Sequence, residues 1–513
     1  MTLGLGRMLS PTWWASSVAE YTHLAIALCV AFALWKALSF YRRRLQLLKA
    51  LAQFPGPEPH WLLGNAHEFR LDGNDLEIQV KWAKQYPSAY PVWIGKFEAY
   101  VYITSCDYAK TLLGRADSKA WFYSFFLPWL GDGLLLQSGK KWSKRRKLLT
   151  PGLHYEILKP YVKLISDCAK VMLGKWEKTS SENESMEIFE DVSLMTLDSI
   201  MKCTFGWQSD CQTESDNKFV RSIYDLCFLV EHRFRFFPYH NDFMFLLSPH
   251  GIRFRRRCKL VHKHTDKVIK QRIESLKDVK ELEIIQKKRH LDLLDILLCS
   301  RDENGKGLSE EDLRAEVDTF MFEGHDTTAS AISWTLYCMA KYPEHQEKCR
   351  EEIKEILGDR RDIEWEDIGK MTYTTMCIKE SFRIFPPVPG VGRQLGKPIT
   401  FSDGRTLPAG NLLWVSIYAI HHDPNTWENP EVFDPSRFAA DAPERHSHAF
   451  LPFVAGQRNC IGQTFAMNEV KVAIAQTLLR FELSPDLAKP PIKIPQLVLR
   501  SKNGIHLHVK KIE

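Results

Sequence analysis

The chain has 513 residues, 44% of them hydrophobic, and a formal net charge of +6. This length permits a large buried core, and so small an excess of positive charge argues against a protein built to bind nucleic acid. The twelve cysteines show no regular spacing, which is typical of free thiols in a reducing compartment rather than of a disulfide framework. We therefore expect the body of the protein to face the cytosol.

The first predicted element is a single membrane helix. Residues 21–41 are mostly apolar, 24–35 carry no charge, and the arginine triplet 42–44 follows at once. A cleaved signal peptide is the alternative, but the positive charge follows the apolar segment rather than preceding it, and no small-residue cleavage site comes next. By the positive-inside rule the arginines stay in the cytosol, so we predict a membrane anchor over residues 1–45.

A proline-rich segment comes after the anchor. Three prolines within residues 54–59 prevent a helix and favour a stiff, extended chain. We therefore predict a hinge over residues 46–59.

The remaining chain reads as one domain, because no internal repeat or low-complexity linker divides residues 60–513. Helical spacing of apolar residues dominates from about 138 to 380. Short strands are predicted within 60–115, near 391–420 and near 495–509. The predicted fold class is mainly α with small β-sheets.

A basic segment at 140–147 has a tryptophan and an arginine at helical spacing. Trp142 and Arg146 are four residues apart and would share one face of a helix. Taken alone, a solvated basic helix explains this segment as well as a binding site does.

Acidic and hydroxyl side chains occur inside the apolar helical pattern that ends near Leu336. Residues three and four apart share a helix face, so Glu323, Asp326 and Thr327 are expected to point one way and His325 aside. An acid beside a hydroxyl in an apolar helix is costly unless it has a partner or a function. Capped or water-bonded core residues are the alternative.

Glu380 and Arg383 lie one helical turn apart and are followed by a proline-rich turn. Such pairs are common on helix surfaces, so the spacing has little weight by itself.

The most specific pattern surrounds one cysteine near the C-terminus, just before a helical pattern that begins near Phe465. Its defined members are Phe453, Gly456, Arg458, Cys460 and Gly462. The glycines are expected to allow positive φ and a close approach to a flat macrocycle, and helix amides to stabilise the thiolate. Arg458 would bind a heme carboxylate, and Phe453 would cover the sulfur side of the ring. No second Cys or His follows at the spacing that zinc or an iron-sulfur cluster requires.

The pattern Phe-x-x-Gly-x-Arg-x-Cys-x-Gly at 453–462 resembles the heme-binding loop of the cytochrome P-450 superfamily. Other segments are similar to further superfamily motifs: 324–327 to the oxygen-activating helix, 142–146 to the Trp-x-x-x-Arg propionate pair, and Glu380 and Arg383 with the segment 433–438 to a buried ion network. The resemblance implies the cytochrome P-450 fold with heme b.

The resemblance also implies a role for each matching residue. Cys460 would be the axial ligand of the heme iron, and Asp326 and Thr327 would deliver protons to bound dioxygen. Trp142, Arg146 and Arg393 would bind heme propionates. The remaining cations of the basic helix, which are Lys140, Lys144, Arg145 and Lys147, would form a surface for an acidic electron donor.

Glu323 narrows the resemblance to one branch, because most superfamily members have Ala or Gly at this position. The segment 313–328 is similar to family 4, and most closely to subfamily 4B, in which this carboxylate forms an ester with a heme methyl group. The family has a proline where this chain has Gln457. The resemblance implies hydroxylation of fatty acids and alkyl chains at or near the terminal carbon, and of some xenobiotics.

The same resemblance implies O2, a lipophilic substrate, NADPH-cytochrome reductase and cytochrome b5 as partners, in the endoplasmic reticulum membrane. Two other functions stay open at this stage. One is a heme-thiolate isomerase or dehydratase that acts on peroxides without a reductase. The other is a non-enzymatic heme-binding membrane protein.

Overall fold

The computed structural model describes residues 11–512 except 71, 97, 180–183, 210, 214–217, 278–290 and 302–304, and the side chains from residue 20 onward. The α-helices of this part of the chain are α1 Pro11–Leu51, α2 Asp75–Gln85, α3 Cys106–Leu113, α4 Leu127–Leu130, α5 Gly139–Leu149, α6 Tyr155–Thr179, α7 Phe189–Phe205, α8 Lys218–Arg235, α9 Asp242–Leu247, α10 Pro249–Ser275, α11 Leu293–Cys299, α12 Glu310–Lys341, α13 Pro343–Leu357, α14 Trp365–Ile368, α15 Thr372–Ile384, α16 Ile417–His421 and α17 Gln463–Arg480. The mainly α fold is confirmed.

The strands are short, as expected. They are β1 Ala89–Ile94, β2 Glu98–Ile103, β3 Ser118–Lys119, β4 Met186–Glu187, β5 Gly390–Gln394, β6 Ile399–Thr400, β7 Thr406–Leu407, β8 Leu412–Ser416, β9 Phe481–Pro485, β10 Lys493–Gln496, β11 Val498–Ser501 and β12 His506–Lys511. The largest sheet has the order β1-β2-β8-β5-β3, and β4-β12-β9, β10-β11 and β6-β7 form three smaller ones.

The N-terminal helix is longer than the predicted anchor. The part of this helix from Glu20 to Leu51 is long enough, and contains an exposed segment apolar enough, to cross a membrane. The helix passes residue 45 and ends inside the predicted hinge, where Leu51 and Phe54 are buried. Gln53 pairs with the backbone of Thr406 in β7. The last turn of α1 is therefore joined to the globular body.

Helix α12 runs through the protein interior and organises the helical core. Ser309 caps its start by accepting a hydrogen bond from the Asp312 backbone amide. The helix packs against α7, α10, α15 and α17. At Gly324 a Cβ would come within 2.7 Å of Ile200 in α7, so glycine permits this close packing.

The predicted ion network lies in the core beside α15. Arg383 donates two hydrogen bonds of 2.7 Å to Glu380, and both side chains are fully buried. Arg437 approaches the same carboxylate at 3.3 Å, and Arg383 also donates to the His421 carbonyl oxygen. Such a pair is costly to break because the remaining charge stays buried. The network holds α15 and the 433–438 segment together.

Candidate active site

A mostly apolar cavity of about 350 Å³ lies between α12 and the loop before α17. Glu323 and Thr327 contribute to one wall, and Phe453, Arg458 and Cys460 to another. Apolar side chains form most of the remaining wall, including Phe122, Phe126, Phe234 and Trp414. The aromatic segment 121–129 therefore contributes to the pocket through Phe122, Tyr123 and Phe126.

The loop that presents Cys460 is held by its own backbone and by an aromatic contact. The Cys460 amide donates to the Phe453 carbonyl oxygen at 3.0 Å, and the Phe453 ring packs edge-on against Phe382 at 6.0 Å. Gly456 has φ of +76°, and a Cβ there would overlap the Leu113 carbonyl oxygen at the end of α3.

The two glycines of this loop have different roles. The expectation of positive φ is confirmed for Gly456. The backbone that lies closest to Gly456 is the end of α3. The expectation is wrong for Gly462, which has φ of −91° and caps the start of α17.

The Cys460 thiol faces the cavity. Burial raises its pKa to about 11, with Glu323 adding to the rise, and a backbone hydrogen bond near Gly462 and the charge of Arg146 opposing it. A thiol of this kind becomes a thiolate when it ligates a metal cation.

Two arginines hold the cysteine loop against α5. Arg146 donates to the carbonyl oxygen of Asn459 at 2.8 Å and to its side-chain oxygen at 2.9 Å. The Arg458 guanidinium stacks on the Trp142 ring at 4.4 Å and donates to the Gln137 carbonyl oxygen. Trp142 thus orients Arg458, and Arg146 orients the residue that precedes Cys460.

A cluster of cations lies beside the cavity. Lys119 in β3 stands directly opposite Arg393 in β5, an arrangement that is unfavourable for like charges. In the described part of the chain no carboxylate lies within ion-pair distance of Lys119, Arg393, Arg146 or Arg458. We call these four residues the cation cluster.

Desolvation lowers the pKa of every member of the cation cluster. Burial, with the charge of Arg393, lowers the pKa of Lys119 to about 7, and burial lowers that of Arg458 to about 10. The pKa of Arg146 and that of Arg393 are lowered for the same reason. Buried cations of this kind need an anionic ligand. Two carboxylates on one bound group would offset part of this charge, which fits the propionates of heme b.

Glu323 lies on the cavity wall contributed by α12. Burial raises the pKa of its carboxyl to about 7, while Lys119 and Arg146 oppose the rise. Thr327 also lines the cavity, and its hydroxyl donates to the Glu323 carbonyl oxygen at 2.7 Å.

Asp326 does not point in the same direction as Glu323 and Thr327. The expectation that all three share one direction is therefore wrong for Asp326. Its carboxylate forms a buried ion pair with Arg500, and the Cys227 thiol approaches it at 3.8 Å. The Arg500 guanidinium stacks on the Tyr224 ring at 3.9 Å. The reason is angular: Asp326 and Thr327 are about 100° apart around the helix axis. His325 turns aside as predicted, with Nδ1 2.6 Å from the Met321 carbonyl oxygen.

The predicted surface cations are only partly on the surface. Lys140, Lys144 and Lys147 are exposed on α5. Arg145 is buried, and its Nε lies 3.2 Å from the Glu316 carboxylate of α12. The prediction that Arg145 belongs to the surface patch is therefore wrong. Burial raises the pKa of Glu316 to about 7 although Arg145 opposes the rise. The patch therefore consists of lysines, and Arg145 ties α5 to α12.

The sequence did not indicate several other side chains of the site. Lys119 belongs to no motif, and Arg500 lies 174 residues from the aspartate it neutralises. Glu231 and Arg235 reach the cavity from α8. Glu231 and Arg235 are four residues apart, and only this spacing could have indicated that they interact.

A thiol in one cavity with four cations beside it suits a flat ligand that carries two carboxylates and a metal ion, so fold and site fit the class of heme-thiolate proteins. The sequence agrees: the family model described as Cytochrome P450 matches residues 54–508. The chain belongs to the cytochrome P450 family and is a monooxygenase, an oxidoreductase that carries heme.

Several curated proteins resemble the chain over nearly their full length. Cytochrome P450 4B1 of Rattus norvegicus is 56% identical over 479 residues, which are 93% of this chain and 94% of the relative. Cytochrome P450 4B1 of Homo sapiens is 53% identical over 98% of each chain. Cytochrome P450 4A6 of Oryctolagus cuniculus is 52% identical over 98% of this chain and 99% of its own.

Proposed function

We propose that the protein is a membrane-bound monooxygenase that hydroxylates fatty acids, other alkyl chains and some xenobiotics at or near the terminal carbon. Electrons come from NADPH through a flavoprotein reductase, with cytochrome b5 as a second donor. The observation that carries the proposal is Glu323, a carboxylate on the wall of the cavity that also holds Cys460. The 4B and 4A relatives support the same branch.

The residues divide the work in the following way. Heme b, when bound, supplies the iron at which dioxygen is reduced and one oxygen atom enters a C–H bond. Cys460 would ligate the iron, and the cation cluster with Trp142 would hold the propionates. Glu323 would hold the ring by an ester to a heme methyl group, an oxidative coupling whose oxidant is the dioxygen that the enzyme reduces, and this link would narrow access so that a chain enters end first.

Proton delivery uses two positions on α12. The Thr327 hydroxyl lies on the cavity wall and can pass a proton inward. Asp326 lies behind it and is held by Arg500, so it must loosen this pair to exchange protons with Thr327. We assign these two residues as the proton-delivery pair.

The chain arrangement that we propose has an anchor at 1–45, a connection at 46–59 whose first residues continue α1 to Leu51, and a catalytic domain at 60–513. The catalytic domain faces the cytosol from the endoplasmic reticulum membrane. The exposed lysines of α5, at 140, 144 and 147, suit the acidic surface of an electron-donating protein.

Product analysis tests the reaction directly. Purified protein with reductase, NADPH and saturated chains of graded length is expected to give mainly the terminal alcohol. Mainly internal alcohols would contradict the terminal selectivity. Peroxide rearrangement without NADPH consumption would instead identify an isomerase.

Replacement of the thiolate tests the site. Cys460→Ser is expected to abolish the absorption at about 450 nm of the reduced carbonyl complex, because that band needs a thiolate ligand. The matched control is Cys299→Ser, an exposed cysteine outside the cavity. A retained band in Cys460→Ser would refute the ligand assignment.

Heme extraction tests the ester. After turnover, acid solvent is expected to leave heme on the wild-type chain and to remove it from Glu323→Gln. Glu311→Gln, on the exposed first turn of α12, serves as the control and should retain heme. Free extraction from the turned-over wild type would exclude the covalent link.

A further inference from the structure

An open groove lies along the outer face of α10, apart from the cavity that holds Cys460. It has a volume of about 760 Å³ and is bounded on one side by Pro128 of α4. The groove and the cavity have no lining residue in common. We call this site the basic groove. Its lysine and arginine side chains are Arg255, Lys259, Lys263, Lys267 and Lys270.

The basic groove has an excess of positive charge. All five of its cations are exposed, and the first four follow one another at spacings of four residues, which places them on one face of α10. Like charges at this spacing destabilise a helix. Asp266 is the one carboxylate among the described lining residues, and Arg314 of α12 already donates to it at 2.6 Å. Within the described part of the chain, no carboxylate lies within ion-pair distance of the five cations.

Other arginines of α10 are paired with carboxylates. Arg253 and Arg257 both bind Asp225 of α8. Arg272 binds Asp295 of α11 at 2.7 Å. Positive charge on this helix is thus neutralised where α10 meets α8 and α11, and it stays unneutralised along the groove. An anion from outside the chain would complete the site.

One end of the basic groove adjoins the exposed apolar side chains of α9. Arg255 donates to the Leu246 carbonyl oxygen of α9 at 3.1 Å. Phe243, Leu246 and Leu247 on that helix are exposed. Lysines with an apolar surface beside them match a phospholipid, which has a phosphate in its headgroup and apolar acyl chains. An acidic protein surface would use the cations but would leave the apolar end uncovered.

We propose that the basic groove binds the headgroup of an anionic phospholipid, whose acyl chains lie over the apolar side chains of α9. The groove adds a preference for anionic lipid to a chain that apolar contacts hold at the membrane. This inference concerns the lipid contact alone, and it does not depend on the reaction proposed for the cavity.

Lysine footprinting tests the contact in the full-length protein. The protein is placed in nanodiscs of phosphatidylcholine, or of phosphatidylcholine and phosphatidylserine in equal parts, and its amines are acylated. In the anionic discs the acylation of Lys259, Lys263 and Lys267 is expected to slow by about fivefold, because phosphate groups pair with these amines. Lys163 of α6 and Lys354 of α13, which are also exposed, are internal controls and should react at the same rate in both kinds of disc.

Charge removal tests the position of the site. A photoreactive phosphatidylserine in the same discs is expected to crosslink to α10. Lys259→Gln with Lys263→Gln should lower the crosslinked fraction by about fivefold or more, because two of the cations that bind the headgroup are gone. Lys163→Gln with Lys354→Gln removes the same amount of charge elsewhere and should leave the fraction unchanged. The reduced carbonyl spectrum verifies that each variant is folded.

Each of the following results would overturn the proposal. Equal footprints in the two kinds of disc, or equal loss of crosslinking in the two double variants, would exclude a lipid site at the groove. Protection of the same lysines by inorganic phosphate in the neutral discs would assign the groove to a free anion. Protection by the reductase and not by the anionic discs would assign it to an acidic protein.

Discussion

Gly456 and Gly462 flank Cys460, and only one of them needs to be glycine. At Gly456 the backbone has positive φ and lies against the end of α3, so any side chain would strain the loop and push it away. At Gly462 the φ is ordinary, and the nearest atom to an added Cβ is the Cys460 sulfur at 4.0 Å.

Gly456→Ala is expected to cost about 1 to 3 kcal/mol of stability and to reduce heme content, because the loop must shift. Gly462→Ala is the matched control and should retain nearly full heme content. The measurement is the heme-to-protein ratio of the purified variants. Equal loss in both variants would show that the position of the loop does not depend on the conformation at Gly456.

Single residues differ in how far the sequence predicts them. Cys460, Trp142 and Arg146 lie in short motifs with fixed spacing along the chain. Such motifs can be recognised without knowledge of the fold. Lys119 and Arg393 become neighbours only through β-sheet register, across more than half of the chain. Asp326 has a local pattern, but its partner Arg500 comes from β11, so its direction depends on a remote strand. The spacing of residues along the chain gives no indication of long-range pairs of this kind.

Helix α12 has acidic residues on more than one face, and each face has its own partner. Glu323 faces the cavity and Asp326 faces Arg500. Asp318 faces α10, where the Thr265 hydroxyl donates to it and His262 Nε2 lies at 3.6 Å. Burial raises the pKa of Asp318 to about 8, although Thr265 and the charge of Arg314 oppose the rise.

The raised pKa of Asp318 predicts a pH effect on stability. In the folded protein the carboxyl keeps its proton up to about pH 8, whereas in the unfolded chain it loses the proton near 3.8. Between these values the folded state holds more protons, so stability falls as the pH rises. Asp318→Asn cannot ionise and should be more stable than wild type by about 1 to 3 kcal/mol above pH 8.

The measurement is the heat-denaturation midpoint in detergent by circular dichroism, on the acid and the alkaline side of pH 8. The gap between Asp318→Asn and wild type should widen as the pH rises toward about 8 and stay constant above it. Glu310→Gln, on the exposed first turn of α12, should give a constant gap. A gap that stays constant across this range would mean that Asp318 is ionised throughout.

On the scale of the whole molecule, α1 is not the only apolar surface. Phe243 and Leu247 on α9 are 71% and 67% exposed, and Phe237 just before α9 is 49% exposed. Exposed apolar side chains in such a group are typical of a membrane or protein contact.

Deletion of residues 1–41 is expected to weaken membrane association without abolishing it, because α9 still contributes apolar contact. Phe243→Ser with Leu247→Ser in the shortened chain should release it. Flotation with phospholipid vesicles measures the bound fraction. Val171→Ser with Ile273→Ser, two exposed apolar residues on other helices, is the control and should have little effect. Complete release by the deletion alone would assign all binding to α1.

The fold class and the order of helical and strand-rich regions were predictable, because apolar spacing is local and strong. The boundaries of the elements were less predictable. Helix α1 continues past residue 45, the predicted end of the anchor, since nothing in Gln46, Leu47 and Leu48 opposes a helix. The prolines that follow stop it only after Leu51 has reached the globular body.

The cation cluster has a consequence for the protein in the cell. Four desolvated cations that form no ion pair with a described carboxylate oppose folding until an anionic ligand binds, so heme uptake and folding stability are linked. Newly made chains that wait for heme spend more time partly open and within reach of proteases. The amount of this enzyme should therefore follow the heme supply of the cell, even where its rate of synthesis is constant.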